Sequence, residues 1–365
     1  MICYLKTSPA TYDGRLKKYL IACKHAKIPY IAITWDRMIN RKLLENEYSY
    51  EKRAPFGYGQ RFHNFLCLIG WYIFVIKKLI SHKNEYEIIH ACNLVTAIVA
   101  FPMKVLLNKK MIFDIYDTSG KIWLEHFFIK HSDLLILPHE KRLQQINISR
   151  KDIKNFLEIE NVPIFPAQNF MHENFNLKDK IRLSYVGTFE RINRGLENVL
   201  KFVLEDERFI WEIAGSGSGL ETLFEESAKK CNRIIYHGRV TNEEGIEIMK
   251  RSDFIVALYY LTSQGHLYAS PNKLYESLYL SVPIITSKNT LVGNQVEQYD
   301  SGYTVEDSYE ALVNLFNNVD NTFIDCYKQK VQNARKIWND NYANYLEKQL
   351  INKYIYFCQK NKLDI

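Results

Sequence analysis

Short apolar runs alternate along this chain with longer segments whose apolar positions recur every three to four residues. The first kind reads as buried strand and the second as amphipathic helix. In the first half, strands are predicted over 2–6, 29–35, 86–90, 111–116, 133–137 and 152–160. Helices are predicted over 12–27, 61–82, 93–107, 121–130 and 140–147. Residues 36–60 read as charged and irregular, with Pro55-Phe56-Gly57-Tyr58-Gly59 as a loop. After a polar linker, roughly 166–180, the alternation restarts. Strands follow over 182–186, 209–214, 233–236, 253–259, 282–286 and 303–305. The helices between them span 194–204, 220–231, 243–252 (capped by Asn242), a helix opening at 270, then 292–299 and 309–317. The last stretch, 323–363, reads as two helices broken near Asp340. Alternation of this kind makes a parallel sheet with helices on both faces. The fold class is therefore α/β, as two doubly wound, Rossmann-like domains. Ligands are expected at the carboxyl ends of the strands and in the cleft between the domains.

One stretch carries distinctive chemistry: Ser270-Pro271-Asn272-Lys273-Leu274-Tyr275-Glu276. Ser270 is a good N-cap and Pro271 suits the first helical position. The unpaired N–H groups and positive dipole end of such a helix form an anion site, and Lys273 adds charge in the first turn. Glu276 falls on the same face, about 4.5 Å further along the axis. That is about the separation between a nucleotide's phosphates and its ribose hydroxyls, which a carboxylate accepts from in pairs. The stretch reads as a grip on a nucleotide diphosphate. The plainer alternative is a helix-surface glutamate paired to Lys273 or Lys288.

Composition changes the picture in two ways. Seven cysteines, an odd number without a C-x-x-C pair, supply neither a disulfide framework nor a zinc pattern, so a reducing cytosol is expected. The first residues lead directly into a strand, so no signal peptide is expected. Charge is uneven: residues 1–175 carry a net +9 and residues 176–365 a net −2. A basic first half attracts phosphates, in nucleic acid or on an anionic membrane. No basic–aromatic motif of nucleic-acid-binding spacing accompanies it, so no nucleic-acid partner is expected. The uncharged run 65–76 is too short to span a bilayer, but it holds Trp71, Tyr72 and Phe74 between Arg61 and Lys77-Lys78. It reads as a core helix or as an interfacial one touching the cytoplasmic leaflet.

Several residues sit where loops meet the cleft. Gly187 ends a predicted strand and lets a ligand approach the backbone. Gly215 and Gly217, in Gly-x-Gly-x-Gly, lack the context of a dinucleotide fingerprint and mark a turn lining the nucleotide site. Around Arg239, backbone groups of 237–240 are placed to meet the base. Asp114 and Asp117 end a strand, where either could serve as general base or cap a turn. His90 ends the preceding strand and lines the acceptor site or the core. Tyr12, Asp13 and Arg15 lie where the first loop closes.

In order, Tyr185-Val186-Gly187-Thr188-Phe189-Glu190-Arg191-Ile192-Asn193-Arg194-Gly195, Ile213-Ala214-Gly215-Ser216-Gly217, His237-Gly238-Arg239-Val240, Ser252-Asp253, and Pro271 to Glu276 with Val282-Pro283-Ile284-Ile285 are similar to one family. They resemble the donor domain of GT-B glycosyltransferases, especially the large retaining family 4. Ser8-Pro9, Tyr12-Asp13-Gly14-Arg15 and Ile112-Phe113-Asp114-Ile115-Tyr116-Asp117 resemble patterns of bacterial surface-polysaccharide transferases. The resemblance implies an acceptor domain at 1–168 joined by about 342–365, and a donor domain at 178–340. It places Arg191 and Arg194 on the diphosphate, with Thr188 standing where the family often has arginine. It puts Tyr268 where the family has a glutamate facing the donor sugar, leaving Gly265 and His266 to offer an N–H and an imidazole. Lys273, Arg194 and the helix dipole would neutralise the leaving diphosphate without a metal. The implied activity is sugar transfer from a nucleotide diphospho-sugar, a UDP-sugar first, to a glycan or polyprenyl-diphosphate-linked acceptor, with retention. The other readings are a nucleotide-sugar epimerase of related fold and a non-catalytic scaffold partner.

Overall fold

The computed structural model describes residues 1–39, 42–54, 61–166, 180–262 and 264–360. The 55–59 loop and most of the expected linker lie outside the described residues. Two compact units result: Met1–Ile164 with Asn344–Ile365, and Phe165–Ala343.

The first unit is built on a seven-stranded sheet, all of it parallel. In chain order its strands are β1 (Ile2–Leu5), β2 (Tyr30–Asp36), β3 (Glu47–Glu51), β4 (Ile88–Ala91), β5 (Lys110–Asp114), β6 (Leu134–Leu137) and β7 (Phe156–Glu158). They lie in the order β3-β2-β1-β4-β5-β6-β7. Its helices are α1 (Gly14–His25), α2 (Arg61–Ser81), α3 (Leu94–Leu106), α4 (Ile122–His131) and a short α5 (Arg142–Gln145). Alternate residues of β1 serve opposite faces. Cys3 and Leu5 join a core with Trp71 and Val75 of α2, Ala97 and Met103 of α3, and Phe128 of α4. Tyr4 lies against Tyr19 of α1 and, through its hydroxyl, Tyr354 near the C-terminus.

The second unit holds a six-stranded parallel sheet, ordered β10-β9-β8-β11-β12-β13. These strands are β8 (Ile181–Thr188), β9 (Phe209–Ser216), β10 (Ile234–Tyr236), β11 (Phe254–Ala257), β12 (Ile284–Ser287) and β13 (Gly302–Val305). The helices between them are α6 (Leu196–Glu205), α7 (Glu221–Lys230), α8 (Asn242–Lys250), α9 (Gln264–Leu267), α10 (Asn272–Leu280) and α11 (Leu291–Tyr299), and α12 (Tyr309–Leu315) and α13 (Asn321–Ile337) follow β13. Neighbouring strands connect outward on either side of β8 and β11, so the topology reverses between those two strands. Loops that leave there diverge and open a space at the strands' carboxyl ends.

Four local expectations are corrected. The stretch 36–60 contains β3, paired with β2 from Ala32↔Glu47 to Asp36↔Glu51. Its Glu-Tyr-Ser-Tyr-Glu sequence hides the strand, because at a sheet edge polar residues are tolerated. Helix α8 is capped by Thr241, which forms a capping box with Glu244, rather than by Asn242. Helix α10 begins one residue late: Pro271 is its N-cap, with φ −78° and ψ 153°, and no side chain caps the first turn. Helical geometry also runs through Asp340, as α13 passes into π-helical turns at Trp338–Tyr342 and Leu346–Ile355 before α14 (Tyr356–Lys360). No Gly or Pro interrupts 321–360, and buried Trp338 and Tyr342 hold the widened turns through the Asn-Asp-Asn segment that looked like a break.

The glycines of the second sheet are required by the protein itself. Gly187 and Gly215 face each other in the β8–β9 register, and a Cβ on Gly215 would lie 1.8 Å from the Gly187 carbonyl oxygen. Gly215 also has φ +138°, where a side chain is strained in any case. Replacing Gly215→Ala should destabilise the second unit by about 2 kcal/mol or more. The check is the urea midpoint of the variant; an unchanged midpoint would mean the strands separate here at no cost.

Candidate functional site

At the carboxyl ends of β8 and β11 the second unit gathers a charged cluster. The turn after β8 supplies Glu190 and Arg194, four residues apart. The Arg194 guanidinium donates to Glu190 Oε1 at 2.8 Å and lies over the Tyr259 ring, 4.3 Å from its centroid. Glu190 also faces His266 Nε2 at 3.6 Å. His266 Nδ1 lies 2.6 Å from the carbonyl oxygen of Tyr260. A carbonyl only accepts, so that nitrogen carries the proton and Nε2 is turned to the carboxylate. Glu190 loses solvation here, but Arg194 and His266 outweigh that loss and hold its carboxyl below the usual range. Burial pushes the Tyr259 phenol up to about 12, against Arg194, which opposes the shift, and Glu276, which adds to it. The same group thus feels both the β8 turn and α10.

Helix α10 brings Lys273 and Glu276 beside this cluster. They form an ion pair with each other, both side chains mostly buried. The pairing is the one the plainer reading of the stretch anticipates, and it sits in the first turns of a helix whose N-cap, Pro271, makes no side-chain cap hydrogen bond. Lys288 is occupied elsewhere, by Glu306 at 3.3 Å.

Around this centre the other expected donor residues fall into two groups. Arg191 and Arg239 are exposed: Arg191 Nε donates to the Ser218 carbonyl at 3.3 Å, and Arg239 Nε to Ser216 Oγ at 2.7 Å. Gly265 is exposed on α9 and Tyr268 half-buried just after it. Gly215 and Gly217 are taken up by internal contacts. The Gly215 N–H donates to Gly238 O at 2.7 Å, the Gly217 N–H to Glu221 Oε1 at 2.9 Å, and a Cβ on Gly217 would sit 2.5 Å from Phe189 O. Their role as a nucleotide-lining turn is therefore secondary to strand packing. Glu190 and Tyr259 belong to the cluster although neither was singled out from sequence. The Glu-x-x-x-Arg spacing of 190 and 194 was the available signal for Glu190; Tyr259 gave none.

The first unit corrects the acceptor-side expectations. Asp114 is wholly buried, not at an open strand end. Arg15 grips it in a fork, Nε to Oδ2 at 2.8 Å and Nη2 to Oδ1 at 2.6 Å, and Tyr19 donates to Oδ2 at 2.9 Å. Arg15 continues to the Ile159 carbonyl at 2.9 Å and Asn161 Oδ1 at 2.7 Å. Burial disfavours the Asp114 charge, but Arg15 and His90 overcome it and hold the carboxyl far below its ordinary range. An ionised carboxylate enclosed this way has no capacity left for a substrate proton. His90 is buried as well, its Nδ1 2.8 Å from the Tyr354 hydroxyl and its Nε2 3.6 Å from Asp114. Arg15 and His90 are thus braces of the core. Asp13 caps α1 by accepting from Leu16 N at 2.8 Å, and pairs with Lys6 at 2.8 Å. Tyr12 and Asp117 alone among these residues present largely exposed side chains, and Asp117 lies 3.9 Å from Arg142.

Two doubly wound sheets with this strand order define the GT-B fold. Known structures show the same over the whole chain. HepE from Anabaena, in complex with UDP and glucose, matches with a TM-score of 0.68 at 13% identity, over 99% of each chain. Sucrose-phosphate synthase from Thermosynechococcus elongatus matches with 0.70 at 13% identity, over 100% of this chain and 98% of that one. The lipopolysaccharide outer core galactosyltransferase WaaB, in its apo form, matches with 0.64 at 12%, over 98% and 99%. No curated protein matches the sequence significantly. Residues 167–336, most of the second unit, match the family model "Glycosyl transferases group 1", and the chain has the GT-B fold.

The buried Arg15–Asp114 pair has a measurable signature. Asp114→Asn leaves the guanidinium without its counter-charge and should cost about 3 kcal/mol of stability. Folded Asp114 and folded His90, whose pKa burial lowers, both bind fewer protons than the unfolded chain does. Stability is therefore full above His90's ordinary value of 6.5, and falls first below that value and again below the ordinary 3.8 of Asp114. Denaturation midpoints across pH should show both losses in the parent chain and lack the lower one in Asp114→Asn.

Proposed function

We propose that the chain transfers a sugar from a UDP-sugar to a hydroxyl of a glycan, carried on a polyprenyl diphosphate or lipid, during surface-polysaccharide assembly at the cytoplasmic face of the cell membrane. The observation that carries the donor half is the cation pair Arg194 and Lys273, set beside the α10 tip at the carboxyl ends of β8 and β11. A nucleoside diphosphate leaves with negative charge on its terminal phosphate. Fixed cations and N–H groups aimed at that charge stabilise its departure without reorganising. Glu276 takes the ribose hydroxyls, and Arg191 and Arg239 draw the donor in from the exposed rim. HepE, seen with UDP and glucose, supports a uridine nucleotide as the donor's carrier.

In the reaction, the bond from the sugar's anomeric carbon to the phosphate oxygen breaks and its electron pair stays on the phosphate. A new bond forms from the acceptor oxygen to the anomeric carbon, and the acceptor proton passes to the departing phosphate. This path gives retention and asks for no separate protein base, which accords with Asp114 being withdrawn into the core. Lys273 and Arg194 supply the neutralising charge, so the reading needs no metal.

Thermal stabilisation by UDP, GDP and ADP, followed by slow UDP-sugar hydrolysis, tests the donor site. UDP should stabilise the parent chain most. Arg194→Ala and Lys273→Ala should each weaken UDP binding about 10- to 100-fold, the range for losing a charge-assisted hydrogen bond. UDP affinities equal to the parent's in both variants would overturn the assignment.

A further inference from the structure

Helix α2 is apolar on two opposite sides. Cys67, Trp71, Val75 and Leu79 are buried against the first sheet. Phe62, Phe65, Ile69, Ile73, Ile76 and Ile80 are exposed, Phe62 by 74%. At about 100° per residue these six fall within a stripe about 100° wide, centred opposite the buried four. The helix is long and apolar enough to cross a bilayer by length and composition. Its inner side is locked in place, though: Trp71 has no exposed surface and donates to the Thr34 carbonyl at 3.3 Å. It therefore lies along the sheet with a second apolar side uncovered.

The neighbouring helices extend that side. Tyr72 of α2 donates to the Val95 carbonyl of α3 at 3.1 Å, and Phe101 of α3 meets Phe127 of α4 with centroids 5.0 Å apart. On α3, Val105 and Leu106 are exposed, and on α4, Trp123 is 74% exposed with Phe127 beside it. The charges on these helices are one-sided. Arg61, Lys77, Lys121 and Lys130 are exposed around the apolar residues. Residues 61–84 and 88–113 contain no Asp or Glu. The single carboxylate of α4, Glu125, is buried and accepts from Ser119 N at 2.7 Å. Asp133, just beyond α4, is held by Lys104 at 2.8 Å and Lys154 at 3.2 Å.

The geometry points to α2, α3 and α4 of the first unit as a docking face for an anionic lipid bilayer, with the three helices lying flat and their isoleucine and aromatic side chains in the headgroup–acyl boundary. A bilayer matches both halves of the pattern. Amphipathic helices bury such stripes about 5–10 Å deep, Trp favours that depth, and surrounding Lys and Arg meet anionic headgroups. A second copy of the chain matches only one half, since it would bring the same cations against each other. The inference deepens the lipid-linked acceptor reading above, but it rests on the surface of the first unit and its test involves no sugar transfer.

The experiment is sedimentation of the full chain with vesicles of phosphatidylcholine, and of phosphatidylcholine mixed with phosphatidylglycerol. The chain should bind the mixed vesicles more tightly, with binding weakened by salt. Ile69→Glu with Ile73→Glu should cut that binding at least about tenfold, because burying one Ile fully is itself about a tenfold effect or more. Trp123→Ser, on a different helix, should weaken it as well, and thermal melts of both variants should match the parent because the sites are exposed. No binding to mixed vesicles overturns the inference, as does binding unchanged by the paired Glu substitutions. So does a dimer in light scattering that those substitutions dissolve, which would assign the face to a second copy.

Discussion

Parallel pairing forces every strand of a sheet to end on the same edge, and in the second unit the reversal between β8 and β11 opens that edge to a ligand. What the chain places there follows from three separate segments: the turn after β8, the end of β11, and the tip of α10. Each contributes one or two charged or aromatic groups, and none makes a site alone. The near contact of Gly215 with the Gly187 carbonyl keeps β8 and β9 close where they leave the sheet. The glycines thus serve the chemistry indirectly, by letting the strands that carry it approach.

The cations of this edge come with resident carboxylates. Arg194 is bound by Glu190, and Lys273 by Glu276. An unpaired cation held half-buried beside Tyr259 would be costly to desolvate, and the neighbouring carboxylates offset that cost. On the function proposed above, a diphosphate entering the cluster would compete with carboxylates for the same donors, and its binding would replace one anion by another. In the first unit the same kind of pair is put to a different use. Arg15 and Asp114 are sealed in the core, tied through Tyr19 and His90 to Tyr354 near the C-terminus, and they join segments far apart in sequence. Burial alone separates a working charge from a bracing one.

The two sides of α2 show the same principle with apolar groups. Opposite stripes of one helix are both apolar, yet one fills a core and the other meets the surroundings. Hydrophobic character by itself does not say what covers it. The charges beside it do, and the exposed charged residues on α2 and α4 themselves are cationic.

The strand–helix alternation, the two doubly wound sheets and the helix start in the 270–276 stretch were legible in the chain, because hydrophobic period and helix-start residues act over a few neighbours. Thr241 in place of Asn242, and Pro271 in place of Ser270, show how far local capping rules reach: to within one residue. Long-range pairing was not legible. Asp114 looked like a strand-end carboxylate until Arg15, some hundred residues earlier, closed on it; β3 looked irregular until β2 paired with it. The order of residues decided which segments form. Tertiary packing decided which charges face solvent, because desolvation depends on what arrives from elsewhere in the chain.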